Sequence, residues 1–200
     1  MNKLEKEKIE NIIKNKGKKY FFIKASDIVV EERVRLNCMI GCEDYGRNIS
    51  CPPFTPTPEE FRKISKQYSE GVIITEKVEA RLSPELAKHF VKNLTHKPDV
   101  LKEFFKTWFS FKKKAFEELL EIESEIFNLN YPLAKVFWYG TCCLCKECVD
   151  NIRDCRFPFK RRCSMEAVGI NVVETLKKIG IKISFPFKNY PLSVSLILID

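Results

Sequence analysis

Four cysteines with close, regular spacing are the residues of this chain best suited to chemistry. They form the run Cys-x2-Cys-x2-Cys-x6-Cys at Cys142, Cys145, Cys148 and Cys155. Thiolates spaced this closely strain a single tetrahedral ion but fit corners of an iron–sulfur cubane. A zinc site more often combines two well-separated pairs of cysteine or histidine ligands. The run therefore favours a 4Fe-4S cluster, with zinc as the alternative metal, although its last gap is longer than in a bacterial ferredoxin loop.

A second cysteine group lies closer to the start of the chain, at Cys38, Cys42 and Cys51. Two prolines, Pro52 and Pro53, follow directly and lack amide donors. We interpret them as a stiff apolar shield for a metal, with an ordinary turn as the alternative. We also expect Gly41 and Gly46 to adopt positive backbone angles that bring the three thiols together.

Nine cysteines raise the question of how many metal groups the chain binds. Four thiolates saturate a cubane, so we expect the N-terminal triad to form a separate site, giving one or two clusters. Its fourth ligand could be Cys163, Cys143, a residue other than cysteine, or nothing. Arg161 and Arg162 are expected to help hold Cys163 as a thiolate, and Cys143 is expected to be a buried thiol. An open iron could bind a substrate.

Composition bounds the class of protein. The chain has 200 residues, 44% of them hydrophobic, with 16 Phe and a net charge of +8. We expect one domain over residues 1–200, with a helical insertion at about 83–130. An odd number of cysteines, no secretory signal and no apolar stretch near the ~20 residues of a membrane span predict a cytoplasmic protein without a membrane partner. The only histidines, His89 and His96, are not favoured as ligands.

Helix and strand signals alternate along the chain. Helices are predicted over residues 3–16, from Pro58 to near Gly71, from Ser83-Pro84, over 99–128 and from Ser164 to Ile179. Strands are predicted over 19–23, 72–78, 134–139 and 194–199, the last of them central. Residues 33–58 show little periodicity and are predicted to be a loop. The pattern predicts an α+β (mixed α/β) fold, with a sheet of about four strands, flanking helices and two cysteine-rich metal-binding loops.

The cysteine groups occur within longer motifs. In order they are Arg35-Leu36-x-Cys38-x3-Cys42-x2-Tyr45-Gly46-x4-Cys51-Pro52-Pro53, the run ending Cys155-x2-Pro158, and Ser164-Met165-Glu166-Ala167-x-Gly169-Ile170. This set resembles a prokaryotic family of predicted metal-binding proteins catalogued as a domain of unknown function. The resemblance covers nearly the whole chain. It implies a metal-binding, iron–sulfur protein of anaerobic prokaryotes. Cys163 stands where the family usually has proline, so the resemblance gives it no role.

Three functions of different classes are compatible with these residues. The leading one is an iron–sulfur protein that transfers electrons or acts as a redox accessory to a partner enzyme. The second is an enzyme that uses an open-coordination cluster at the N-terminal triad. The third is a zinc-stabilised module that binds nucleic acid or protein through its basic residues, with nucleic acid the less favoured partner. No residue pattern identifies a small-molecule substrate.

Overall fold

The chain is built on a four-stranded antiparallel sheet. The structure is a computed structural model that describes residues 1–78, 99–183 and 190–200, and only the backbone for residues 99–105. The strands are β1 (Lys19–Lys24), β2 (Glu70–Lys77), β3 (Lys135–Phe137) and β4 (Leu192–Ile199). They are ordered β1-β2-β4-β3, so the prediction that β4 is central is confirmed.

Five helices accompany the sheet in the part of the chain that the structure describes. They are α1 (Lys3–Asn15), α2 (Leu36–Gly41), α3 (Pro58–Ser65), α4 (Asp99–Asn128) and α5 (Val172–Lys178). Sheet and helices together confirm the α+β fold class. The predicted helix start at Ser83-Pro84 and both histidines lie outside the described residues. The single domain and its insertion stay predictions.

Both faces of the sheet are covered because β4 is buried along nearly its whole length. Ile197 and Ile199 pack with buried residues of α1 and α4. Leu196 and Leu198 pack on the opposite face with buried residues of α3 and α5, such as Phe61. This alternation is the two-residue period of a strand with both faces in the core. Among the described helices, none is both long enough and apolar enough to span a bilayer.

Several local predictions are confirmed, because short-range hydrogen bonds decide them. The Thr57 hydroxyl accepts from the backbone N–H of Glu60, and the Glu60 carboxylate accepts from the N–H of Thr57. This is the predicted capping box, and Pro58 stands at the first helical position. The first helix ends before Gly17, which has a φ of 67°.

Two predicted helix boundaries are wrong. Helix α3 ends at Ser65, and Gly71 instead lies in β2, where a Cβ would meet the Leu196 side chain at 3.0 Å. Ser164 does not begin one long helix. A 3-10 turn, Glu166–Val168, ends at Gly169, and α5 starts later with Asn171 as its N-cap.

The predicted loop at residues 33–58 contains regular structure at its beginning. A 3-10 turn, Glu32–Arg35, leads directly into α2. Gly41 is the last residue of α2 and has no positive φ, so that expectation is wrong, whereas Gly46 has a φ of 70° as expected. Six residues are too few to show a helical period, so the sequence gives no signal for α2.

Candidate metal centre

The N-terminal triad consists of Cys38, Cys42 and Cys51, which lie on α2 and in the loop after it. Cys38 is in α2, Cys42 is its C-cap residue, and Cys51 precedes α3. The backbone N–H of Gly46 donates to the carbonyl of Pro52 at 2.9 Å and closes the loop between the second and third cysteines. Pro52 is buried and Pro53 is exposed, so only the first proline is positioned to exclude water.

The three thiols of the triad lie within electrostatic range of one another. Burial raises the pKa of Cys51 to about 12, and Asp44, Cys42 and Cys38 add to the effect. Burial also raises the pKa of Cys38, with further contributions from Cys42 and Glu166. Without a cation, Cys38 and Cys51 therefore stay protonated at neutral pH. A bound metal ion supplies the positive charge that converts them to thiolates.

The C-terminal run consists of Cys142, Cys145, Cys148 and Cys155, and β3 leads into it. Gly140, with a φ of 115°, turns the chain between the strand and the run. Burial raises the pKa of Cys142 to about 11, and Cys145 and Cys148 raise it further through their charge. These three thiols therefore form a second group. The guanidinium of Arg156, next to Cys155, donates to the carbonyl of Glu147 at 3.1 Å and ties the two halves of the run together.

The two cysteine loops are in direct contact. The backbone N–H of Cys142 donates to the Ser50 hydroxyl at 3.0 Å, and the Asn48 amide donates to the Cys142 carbonyl at 3.5 Å. The Ser50 hydroxyl in turn donates to the Asn48 side chain at 2.8 Å. Arg161 adds a third link through the carbonyl of Ile49, at 2.9 Å. The loop that carries Cys51 and the loop that carries Cys142 are thus held side by side.

A charged pair fastens the segment that follows the C-terminal run. Arg162 forms two hydrogen bonds with the carboxylate of Glu123 on α4, and one of them is 2.8 Å long. The same carboxylate accepts from the backbone N–H of Val136 in β3 at 2.8 Å. Burial acts to raise the pKa of Glu123, but Arg162 outweighs it and the pKa is lowered. Glu123 therefore stays ionised at neutral pH and connects α4 to β3 and to the segment that contains Arg162.

Gly169 fastens the segment that follows Cys51. Its φ is 85°, and a Cβ at this position would lie 2.7 Å from the ring of Pro58 at the start of α3. The hydroxyl of Thr55 donates to the carbonyl of Ala167 at 3.0 Å. The Ser164-Met165-Glu166-Ala167 motif therefore acts as the support on which the chain between Cys51 and α3 rests.

The donor chemistry of these residues fits a metal group, whereas their placement is not that of a formed coordination shell. All nine cysteines are free thiols. Over residues 1–78, 99–183 and 190–200, no three side chains of His, Cys, Asp or Glu are arranged to hold one ion. The thiols are gathered into two groups, and binding a metal requires their side chains to move closer together. Thiolates are the usual ligands of both iron–sulfur clusters and structural zinc.

The two remaining cysteines pack against the two sides of the sheet. Cys143 packs against the core that includes Phe116 but is only half-buried, less than the buried thiol expected from the sequence. Cys163 packs against the opposite core. Burial raises its pKa to about 11 despite the opposing effects of Arg161 and Arg162. Both arginines lower the pKa of Cys163 as expected, but burial is the larger effect, so without a metal Cys163 is a thiol.

Three residues of the site were missed by sequence reasoning. Asn48 and Ser50 join the cysteine loops, and nothing in the sequence pairs them with residues 92 or 94 positions away. Lys112 of α4 is buried, only 7% exposed, and lies near both loops. A signal did exist for it. Lys112 falls three and four residues before Ala115 and Phe116, on the buried face of the helix.

Comparison with known proteins places the chain in a family. The model of the family described as predicted metal-binding protein (DUF2284) matches residues 21–199. The chain belongs to this family. The match spans both cysteine groups and the Ser164-Met165-Glu166-Ala167 motif. Searches of curated proteins and of solved structures gave no match.

Proposed function

We propose that the protein is an iron–sulfur electron carrier that serves a partner enzyme. The C-terminal run would hold a 4Fe-4S cluster, and the N-terminal triad would hold a second metal group. Such clusters supply one-electron redox chemistry when bound. The residues of the chain contribute the thiol ligands, the hydrogen bonds that set the loops and the apolar surroundings that limit water.

The contact between Ser50 and Cys142 is the observation that supports this proposal most. It brings two groups of thiols together, although they are far apart along the chain. The two groups together contain seven cysteines, more than the four ligands of a single structural zinc site. Two adjacent redox groups, in contrast, can exchange electrons and pass them to a partner. The family description supports a metal in general terms.

An exposed basic loop supports docking of a partner protein. Around Cys155 it presents Arg153, Arg156 and Lys160 to solvent, and Phe159 is 91% exposed. Cations around an exposed aromatic ring suit a partner with an acidic surface, and such attraction weakens as salt is raised. Nine free thiols suit a reducing compartment, and we include a cytoplasmic location in the proposal.

Metal analysis of anaerobically purified protein tests the proposal. We expect a brown protein that contains iron and acid-labile sulfide, with visible absorbance that bleaches on reduction. Cys145→Ser should remove about half of the iron if each cysteine group holds one cluster. Cys143→Ser is the matched control, since this neighbouring thiol packs against the core, and it should keep its iron.

Two results would overturn the proposal. Unchanged iron in Cys145→Ser would remove the run from the metal site. A colourless protein that contains zinc would instead support the zinc-stabilised binding module, whose binding to nucleic acid would depend on salt.

One observation supports a second candidate, an enzyme that uses an open metal position at the N-terminal triad. A cavity of about 720 Å³ lies beside it, within the ~300–1,000 Å³ common for small-molecule sites. Asn37, next to Cys38, lines this cavity together with Glu166 and Arg33. Burial raises the pKa of Glu166, so this carboxyl at the wall of the cavity holds a proton more tightly than an exposed glutamate does.

The two candidates differ in how the triad responds to added molecules. An open metal position exchanges ligands, so cyanide or a thiol should change the electron paramagnetic resonance signal of the N-terminal group. A fully coordinated carrier should not respond. Val173→Trp, which would fill the cavity from α5, should suppress the response if the cavity is the route to the metal.

A further inference from the structure

Lys112 occupies an unusual position between the two cysteine loops. Its side chain is on the core-facing side of α4, and the residue is only 7% exposed. The ammonium donates to the Thr141 hydroxyl at 3.2 Å and lies 5.2 Å from the centre of the Trp138 ring. Its Nζ is 3.4 Å from the place a Cβ would take at Gly140, the residue that turns the chain into the C-terminal run.

This buried cation has no carboxylate partner among the described residues. Other charged residues of α4 do form ion pairs, such as Lys114 with Glu118 and Glu123 with Arg162. A hydroxyl and an aromatic ring compensate only part of the cost of burying an ammonium. Negative charge in the adjoining cysteine loops would compensate the remaining cost.

The charges that Lys112 senses belong mainly to the two cysteine loops. Burial lowers its pKa, and the groups that act in the opposite direction are Cys143, Asp44, Cys51 and Cys142. One of these thiols comes from the N-terminal triad and one from the C-terminal run. Both would be thiolates in a metal-bound site, so the loaded loops would carry negative charge beside Lys112.

We propose that Lys112 is the shared counter-cation of the two metal groups, positioned by Thr141 and the Trp138 ring. An iron–sulfur cluster held by four thiolates has a net negative charge, which grows by one on reduction. A buried cation favours the reduced form, because charges interact strongly where water is excluded. Lys112 therefore raises the reduction potential of both groups. The inference deepens the proposed function and rests on it.

Redox titration of three variants tests this role. Lys112→Met removes the charge and keeps an unbranched apolar side chain. It should lower both potentials, with a tenfold change in the reduction equilibrium of each, equivalent to about 59 mV for one electron. Lys112→Arg keeps the charge and should stay close to the parent. Lys114→Met is the matched control, because it removes an exposed charge from the same helix. Circular dichroism and iron content establish that each variant is folded and loaded.

Thr141→Val provides a second, milder change if Lys112→Met fails to fold. It leaves the charge but removes the hydroxyl that holds the ammonium, so both potentials should fall below those of the parent, by less than the shift of about 59 mV expected for loss of the charge. Potentials equal to those of the parent in folded, loaded Thr141→Val would overturn the inference. Equal potentials in Lys112→Met and Lys114→Met would overturn the inference. A shift confined to one of the groups would overturn the shared role.

Failure of this inference is distinguishable from failure of the proposed function. If the purified parent contains zinc and no iron, the electron-carrier function is wrong. Lys112 is then tested by zinc competition with a chelator. Loss of the cation should weaken binding about tenfold in Lys112→Met, with little change in Lys112→Arg. Equal affinities in Lys112→Met and Lys114→Met would reject a counter-cation role there as well.

Discussion

The hydroxyl of Ser50 accepts a hydrogen bond from the backbone N–H of Cys142 at 3.0 Å and so joins the two halves of the candidate site. Ser50 is 2% exposed, and water cannot easily replace its hydroxyl. Because the same hydroxyl also donates to Asn48, the bond belongs to a small network that fixes both loops at once. Both cysteine groups therefore depend on one side chain that binds no metal.

Ser50→Ala should destabilise the protein by about 1–3 kcal/mol, since it leaves a buried N–H without an acceptor. Urea unfolding of the metal-free protein measures this loss. Ser124→Ala, an exposed position on α4, is the control and should change stability by less than about 0.5 kcal/mol. Similar stabilities for the two variants would show that the contact between the loops is weak.

Thiol reactivity should follow burial in the metal-free, reduced protein. Cys42 and Cys148 are exposed and should react first with iodoacetamide. Cys51, with a pKa raised to about 12, should react slowly at pH 8. The alkylation rate of Cys51 should increase about tenfold for each unit by which the pH is raised, as long as the pH stays below that pKa, because only the thiolate reacts. Peptide mass spectrometry gives the rate for each cysteine.

The metal-loaded protein is the control for this experiment, because bound thiolates should be protected from alkylation. Cys163, which packs against the core, should react slowly in both forms. If Cys51 were alkylated at pH 8 as fast as Cys42, the conclusion that Cys51 is a buried thiol with a raised pKa would be wrong.

Glu123→Gln should destabilise the protein by about 3 kcal/mol at pH 7, because the buried charge of Arg162 loses its partner. The pKa of Glu123 in the folded protein is below its usual value of 4.5. Its contribution is therefore present above about pH 4.5 and is lost as the pH falls through the lower, folded-state pKa. The difference in stability between parent and variant should be constant from pH 7 to 5 and should shrink below that range.

Unfolding in urea across this pH range checks the prediction for Glu123. Glu121→Gln is the matched control, since Glu121 is on the same helix but is exposed where it pairs with Lys16. It should have little effect at any of these pH values. A difference between parent and Glu123→Gln that persisted unchanged into strong acid would mean that the carboxylate contributes by packing and not by charge.

Gly169→Ala should cost more stability than the same change at Gly180. Both glycines have a positive φ, 85° and 77°, so alanine is strained at each by about 1 kcal/mol. Only at Gly169 would the added Cβ also meet another residue, Pro58 at 2.7 Å. Unfolding free energies of the two variants separate the clash from the backbone strain. In Gly169→Ala we also expect faster alkylation of Cys51, whose loop leads into α3.

The parts of the fold that short-range rules control could be predicted from the sequence. The capping box at Thr57 and Glu60 and the apolar strand at β4 are examples. Gly71 was mistaken for a helix end because the requirement for glycine at this position comes from a tertiary contact. The backbone there approaches Leu196 of the neighbouring strand closely. The same holds for Ser164, where packing of the following Gly169 on Pro58 interrupts the helix.

The candidate site was predictable as a set of ligands but not as an arrangement. The spacing of the cysteines assigned them to two groups, since it is a local property. Their contact depends on a hydrogen bond across 92 residues, which leaves no trace in a single sequence. Lys112 belongs to a run of three lysines, a pattern typical of a solvent-exposed helix face. Only its spacing of four residues from Phe116, which places both on one face of α4, indicates that it is buried.

The central position of β4 has a consequence for the order in which the protein is made. Strand β3, which leads into the C-terminal run, pairs with β4 and with no other named strand of the described residues. On the ribosome, residues 142–155 thus emerge before the strand that anchors them exists. If these thiols bind metal as we propose, the strand pairing that positions them is complete only after residues 192–199 have been synthesised.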